Sequence, residues 1–196
     1  MTAAALLPRP RARLLIGAAL LAIVWAAPAR SQSIVINEFQ AINASTLTDE
    51  DGDHTDWIEL KNPGSAAVSI TGWHLSDNKS QLTKWTLPST TINPGQFIII
   101  FASGKDRATT GKQLHTNFKL GGDGEFLGLI QPDGKTIASG FDPYPQQLTD
   151  HSYGRSSAAG NPPAYFSTPT PGKQNSVGFK GLVSDTEISS IRGLKE

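Results

Sequence analysis

The residues best suited to chemistry stand in one short stretch. Asp49, Asp51, Asp53 and Asp56 fall within DEDGDHTDW, alternating around Gly52. Carboxylates spaced in this way could converge on one hard cation. Ca²⁺ takes six to eight oxygen ligands, and a glycine permits the sharp turn that brings them together. The spacing D-x-D-G-D-x-x-D resembles calcium loops in general, and Glu50 and Glu59 could add further oxygens. It does not follow the twelve-residue EF-hand frame, because Leu60 stands at the twelfth position counted from Asp49. Calcium is thus the one cofactor the sequence suggests, with Asp49, Asp51, Asp53 and Asp56 as its ligands. The competing reading is a solvated loop whose Asp side chains cap turns.

Other chemistries find less support. The four histidines are His54, His74, His115 and His151, and none lies two to four residues from another. A zinc site would have to be assembled from distant strands. No G-x-S-x-G is present, so a Ser-His-acid site could arise only by tertiary proximity. Gly121-Gly122-Asp123-Gly124 lacks a following G-K-[ST] and reads as a tight turn. Glu38, Glu59 and Glu125 could be imagined as paired carboxylates for glycoside cleavage. Strand alternation, however, places each of them on a solvent face. No catalytic residue emerges, and the chain reads as a non-enzyme. Trp73 and Trp85 run in phase with leucines and belong to a core. Trp57 is out of phase with Ile58 and Leu60, so it is expected on the outer face beside the acidic loop, as the candidate ligand contact.

The elements that must position these residues are strands. SIVINEF (33–39), DWIELKN (56–62), AVSI (67–70), WHLSD (73–77), KWTLP (84–88), FIIIFAS (97–103), EFLGLIQ (125–131) and KTIASG (135–140) are short, β-branched or alternating, and separated by turn residues. Pro132-Asp133-Gly134, Asn93-Pro94-Gly95 and Asn62-Pro63-Gly64 mark turns. The chain carries 19 glycines and 13 prolines, and no sustained 3.6-residue apolar period appears from Ser33 to Asn175. Eight or nine short strands at such spacing indicate an all-β sandwich or barrel. After Gly140 the chain reads as irregular. STPTPG (167–172) reads as an extended closing segment.

At the N-terminus, Arg9, Arg11 and Arg13 precede the uncharged apolar run Leu14–Ala27, followed by Ala27-Pro28-Ala29. This is the pattern of a secretory signal peptide over residues 1–29. The run is short against the ~20 residues needed to span a bilayer. A secreted or cell-envelope location is expected, with no transmembrane segment after cleavage. Without those three arginines the 17 acidic side chains outnumber the basic ones, so no basic footprint for nucleic acid remains. There are no cysteines, which excludes disulfide staples and thiolate chemistry.

Several segments together carry a family resemblance: IVINEFQAINASTLTDEDGDHTDWIELKNPG (34–64), VSITGWHLSD (68–77), TKWTLP (83–88), INPGQFIIIFASGKDR (92–107), LHTNFKLGGDGEFLGLIQPDG (114–134), HSYGR (151–155) and TPTPGKQN (168–175). In this order and spacing they resemble the bacterial lamin-tail domain. The resemblance implies an immunoglobulin-like β-sandwich over 33–175. In nuclear lamins such a domain is a binding platform. In secreted bacterial proteins similar modules sit beside other extracellular domains, some carbohydrate-related and some resembling spore-coat kinases. Residues 176–196 look like a linker or the broken-off start of a following module. The function expected is a non-catalytic extracellular module for binding, adhesion or spacing, with a protein or surface polysaccharide as partner. The alternatives are a calcium-stabilised adhesion-type domain and an accessory fragment of a larger hydrolase or kinase-like protein.

Overall fold

The computed structural model describes residues 34–181. The signal-peptide reading of residues 1–29 lies outside them, as do the last fifteen positions of the chain, 182–196.

Apolar residues alternate along the segments read as strands, and twelve short strands form among the described residues. They are β1 (Val35–Gln40), β2 (Asp56–Lys61), β3 (Val68–Ser69), β4 (His74–Ser76), β5 (Trp85–Thr86), β6 (Thr91–Ile92), β7 (Phe97–Ala102), β8 (Leu114–His115), β9 (Leu127–Ile130), β10 (Ile137–Phe141), β11 (Ser152–Arg155) and β12 (Pro163–Phe166). One sheet has the order β12-β11-β1-β2-β7-β8, a second has β10-β9-β4-β5, and β3 pairs with β6. Among these described strand pairs only β7–β8 is parallel. Ile36, Phe39, Ile58, Leu60 and Ile100 of the first sheet share one buried cluster with Leu75, Trp85, Leu127, Leu129 and Phe141 of the second. The result is the expected all-β sandwich. Each large side chain removed from water in this cluster contributes about 1.5–3 kcal/mol.

Strand β1 sits centrally in the larger sheet and is irregular. Its register with β2 shifts between Ile36 and Glu38, which makes Asn37 the extra residue of a β-bulge. Ile36 and Phe39 therefore both face the core, while Asn37 and Glu38 both turn to the opposite side. Beyond its short pairing with β11 (Glu38 with Gly154, Phe39 with Tyr153), the edge of β1 is satisfied by side chains. Ile36 N–H donates to Ser139 Oγ at 2.9 Å, and Arg155 Nε donates to Ile36 O at 3.2 Å. Arg155 Nη2 also donates to Ser139 Oγ at 3.2 Å, so Arg155 ties the two sheets together.

Two findings extend the sequence reading. The stretch after Gly140 is not irregular throughout: β11 and β12 complete the larger sheet, with Pro163 opening the edge strand, where a missing N–H is harmless. Residues following Asn175 also dock. Phe179 exchanges two backbone hydrogen bonds of 2.9 Å with Tyr165 and stacks on its ring at 5.5 Å.

Gly154 lies against the bulge so closely that a Cβ there would meet Asn37 O at 2.2 Å and Glu38 Cα at 2.7 Å. Backbone cannot yield as a flexible side chain can. Gly154→Ala is expected to cost about 3 kcal/mol or more in urea unfolding, the upper range for overpacking. A loss below about 0.5 kcal/mol would contradict this close approach.

Candidate functional site

The loop between β1 and β2 is organised from within. Asn43, buried, donates from Nδ2 to Leu47 O (2.6 Å) and Thr55 O (2.8 Å), while its Oδ1 accepts from Thr46 N–H (3.0 Å). Inside that frame Asp49 Oδ1 accepts from the N–H groups of Asp51 and Asp53, both at 3.0 Å, and Gly52 takes a positive φ of 84°. This is an Asx-type turn, and it points Asp49, Asp51 and Asp53 to one place. Their nearest carboxylate oxygens lie within 4.8 Å of one another.

The cation at their centre is a side chain. Lys105, from the loop after β7, brings Nζ to 2.6 Å from Asp49 Oδ2, 2.7 Å from Asp51 Oδ2 and 2.9 Å from Asp53 Oδ2. Burial alone would push the Asp49 carboxyl up. Lys105 and the two backbone donors outweigh it and hold the group below its ordinary value. Asp51 is likewise held low, chiefly by its hydrogen bond from Lys105. Lys105 loses some of its charge preference to burial but gains more from the three carboxylates, so its ammonium is held above the usual range.

Asp56, the fourth carboxylate of the sequence motif, is not in the cluster. Its Oδ2 accepts from Leu120 N–H at 3.2 Å, and burial pushes its carboxyl up to about 6. Trp57 is not on an outer solvent face. It is fully buried, and Nε1–H donates to Gln40 Oε1 at 2.8 Å. Trp57 stands outside the core cluster, as its strand phase requires, but it is buried on that face too and has no surface to offer a ligand.

A second group of contacts joins the same two loops. Arg107 Nη1 reaches Glu50 Oε1 at 3.0 Å and Asp51 Oδ2 at 2.8 Å. His115, wholly buried on β8, places Nε2 at 2.9 Å from Glu50 Oε2 and Nδ1 at 2.9 Å from Ser103 Oγ. An ionised carboxylate can only accept, so Nε2 carries a proton; in the neutral imidazole Nδ1 then accepts from the serine hydroxyl. A Ser-His-acid set thus exists by tertiary proximity, in residues no sequence motif marked. Ser103 is buried, however, and its Oγ also accepts from Lys105 N–H at 3.2 Å, so the hydroxyl caps the turn leading to Lys105.

Two of the glutamates placed on a solvent face are in fact fully buried. Glu38 accepts from Ser152 Oγ (2.5 Å), Thr170 N–H (2.9 Å) and Thr170 Oγ1 (2.6 Å). Glu59 accepts from Asn37 Nδ2 (2.7 Å) and from Gly172 N–H. The alternation was right. The segment 167–175 covers that face, which strand periodicity cannot reveal. Burial raises both carboxyls, that of Glu59 to about 7.

The family model described as Lamin Tail Domain matches residues 27–140. No curated protein matches the chain.

Lys105→Met removes the cation and leaves three carboxylates facing one another. This is expected to cost about 2 kcal/mol, between the values for exposed and buried pairs. Millimolar Ca²⁺ should restore part of the loss in the variant while leaving the wild-type midpoint unmoved. A wild-type midpoint that rises with Ca²⁺ would show that the ion displaces Lys105.

The buried acids also set a pH dependence. Asp56 and Glu59 titrate at about 6 and about 7, above their ordinary 3.8 and 4.5, so each holds its proton more tightly folded than unfolded. Their contribution is complete below the ordinary values and is lost as pH rises through the folded ones. Asp49, Glu50 and Asp51 are depressed, so what they contribute is lost only at more acid pH. His74, lowered by burial, works weakly in the opposite sense. The thermal midpoint should therefore be higher at pH 5 than at pH 8, with Asp56→Asn and Glu59→Gln each flattening the slope. A midpoint that climbs over this range would refute the assignment.

Proposed function

Because the chain belongs to the lamin tail domain family, we propose that it serves as a non-catalytic module of a secreted or envelope protein, with its rim as the partner-facing surface. The observation that carries this reading is the joining of the two rim loops, 42–55 and 103–119, into one ordered patch by Lys105, Arg107 and His115. A surface already fixed in place avoids the ordering cost that weakens binding by mobile loops. Glu50, Asp51, Asp53 and Arg107 remain partly exposed on it, offering charges of both signs to a protein or a surface polysaccharide. The arginine-led apolar run before Ala29 supports export. The excess of acids beyond that run speaks against nucleic acid. The non-catalytic reading is supported by the internal use of the reactive groups, since Ser103, His115, Glu38 and Glu59 are all buried.

Binding of the chain to envelope-derived polysaccharide and protein fractions tests this. Arg107→Glu should weaken retention at least about tenfold, or about 1.4 kcal/mol, while Lys135→Glu in the β9–β10 turn should leave it unchanged. Equal behaviour of the two variants would remove the rim from consideration. Hydrolysis of p-nitrophenyl acetate that disappears in Ser103→Ala would overturn the non-catalytic reading.

A further inference from the structure

Glu38 and Glu59 are Cα partners across the β1–β2 ladder, and both are completely removed from solvent. None of the ion pairs among the described residues includes either of them. Two carboxylates opposed on neighbouring strands in a low-dielectric setting cannot both ionise cheaply. Their surroundings are nearly neutral. β1 brings Asn37, β11 brings Ser152, and Ile99 of β7 stands opposite Glu59. The charged groups nearby are Lys61, whose Nζ is taken up by Gln174 and the Phe97 ring, and Arg155, whose guanidinium is spent on Ile36 O and Ser139 Oγ. On the covering segment Lys173 is exposed.

That covering segment, 167–175, has no ladder of its own with the sheet. It is held by the donors it gives to the two carboxylates, Thr170 to Glu38 and Gly172 to Glu59, and by Asn175, whose Nδ2 donates to Asn37 O (3.0 Å) and Arg155 O (2.9 Å). Asn175 Oδ1 accepts from Asn37 Nδ2 at 2.8 Å, so one network runs from Glu38 through Thr170, Asn175 and Asn37 to Glu59. The strap and the carboxyl pair therefore depend on each other.

We propose that Glu38 and Glu59 form a proton-operated latch on the 167–175 strap. With one proton between the two carboxyls the strap is held on the sheet, and with both ionised it lifts away. Glu38, with three donors, is the better site for the charge, and Glu59, with two, is the better site for the proton. Burial acts in the same direction, pushing Glu59 up to about 7. The closed strap is then favoured in mildly acidic solution and is lost as pH rises through that value. Gln174 forms one wall of a cavity of about 240 Å³ with Val35, Lys61, Pro63 and Asn161, so release opens this cavity onto the outer face of the sheet.

Hydrogen exchange of the full chain between pH 5.5 and 9, corrected for intrinsic rates, tests the latch. The amides of Thr170 and Gly172 should lose protection by up to roughly tenfold per pH unit as pH rises toward about 7 and level off above it, a loss larger than any shared by the amides of Ile58 and Ile100. Glu59→Gln removes the charge at Glu59 at nearly constant size, though its amide nitrogen cannot accept as the second carboxyl oxygen does, and Glu38→Gln removes the opposing charge. Strap protection should be independent of pH in Glu59→Gln and less steeply dependent on pH in Glu38→Gln, where burial still acts on Glu59. Wild-type strap protection that does not vary with pH, or variants that follow the wild type, would overturn the proposal. Should both variants fail to fold, a carbon-detected titration of Glu59 in the wild-type chain decides. A value near the ordinary 4.5 refutes the latch.

Discussion

Two carboxylates withdrawn from water on the outer face of the larger sheet set the terms for much of the surrounding structure. A buried carboxylate without hydrogen-bond partners is far too costly to persist. Glu38 and Glu59 therefore require donors, and the chain supplies them from places remote in sequence: Ser152 on β11, Thr170 and Gly172 on the strap, Asn37 on the bulge. The bulge at Asn37 turns two successive side chains to the same face. Gly154 lets β11 approach the bulged backbone. Each of these features would be a local irregularity if considered alone. Together they satisfy one requirement.

The rim meets a similar requirement by a different route. Asp49, Asp51 and Asp53 are gathered by turn geometry, and their mutual repulsion is offset by a single ammonium group from the next loop. The outer sheet face relies on neutral donors and the rim on a full opposite charge. This difference explains the pKa directions: the rim acids are held low and the sheet acids are raised. It also explains why the rim can remain partly exposed, since an ion pair tolerates water that a pair of like-charged carboxyls held by hydrogen bonds does not.

The matched family span ends at residue 140, whereas β11, β12 and the strap lie beyond it. These later segments close the edge of β1 and cover Glu38 and Glu59. The folded unit is therefore longer than the matched span, and the stretch from 141 to 179 belongs to it physically. Ser103, His115, Glu38 and Glu59 are engaged within this unit, while Glu50, Asp51, Asp53 and Arg107 stay partly exposed on the rim.

Much of this was legible in the sequence. Alternation in DWIELK and the apolar run FIIIFA placed β2 and β7, turn residues at Pro132-Asp133-Gly134 marked the β9–β10 hairpin, and the ordered segments identified the family. The acidic cluster was visible too, because three carboxylates two residues apart around a glycine report on local turn geometry. Local geometry, however, does not say which cation fills the centre. Lys105 is more than fifty residues away from the loop it closes, and only the packing of β7 beside β2 brings it there. Trp57 and Glu59 show the same division. Period-two alternation assigns both to the face away from the core, but it knows nothing of what covers that face, which at Glu59 is a segment more than a hundred residues later. The sequence by itself determined strand phase, turns and family, since these depend on neighbours along the chain. Burial of the outer face, and with it the state of every carboxylate there, was decided only by the tertiary structure, because desolvation depends on what lies above a residue in space.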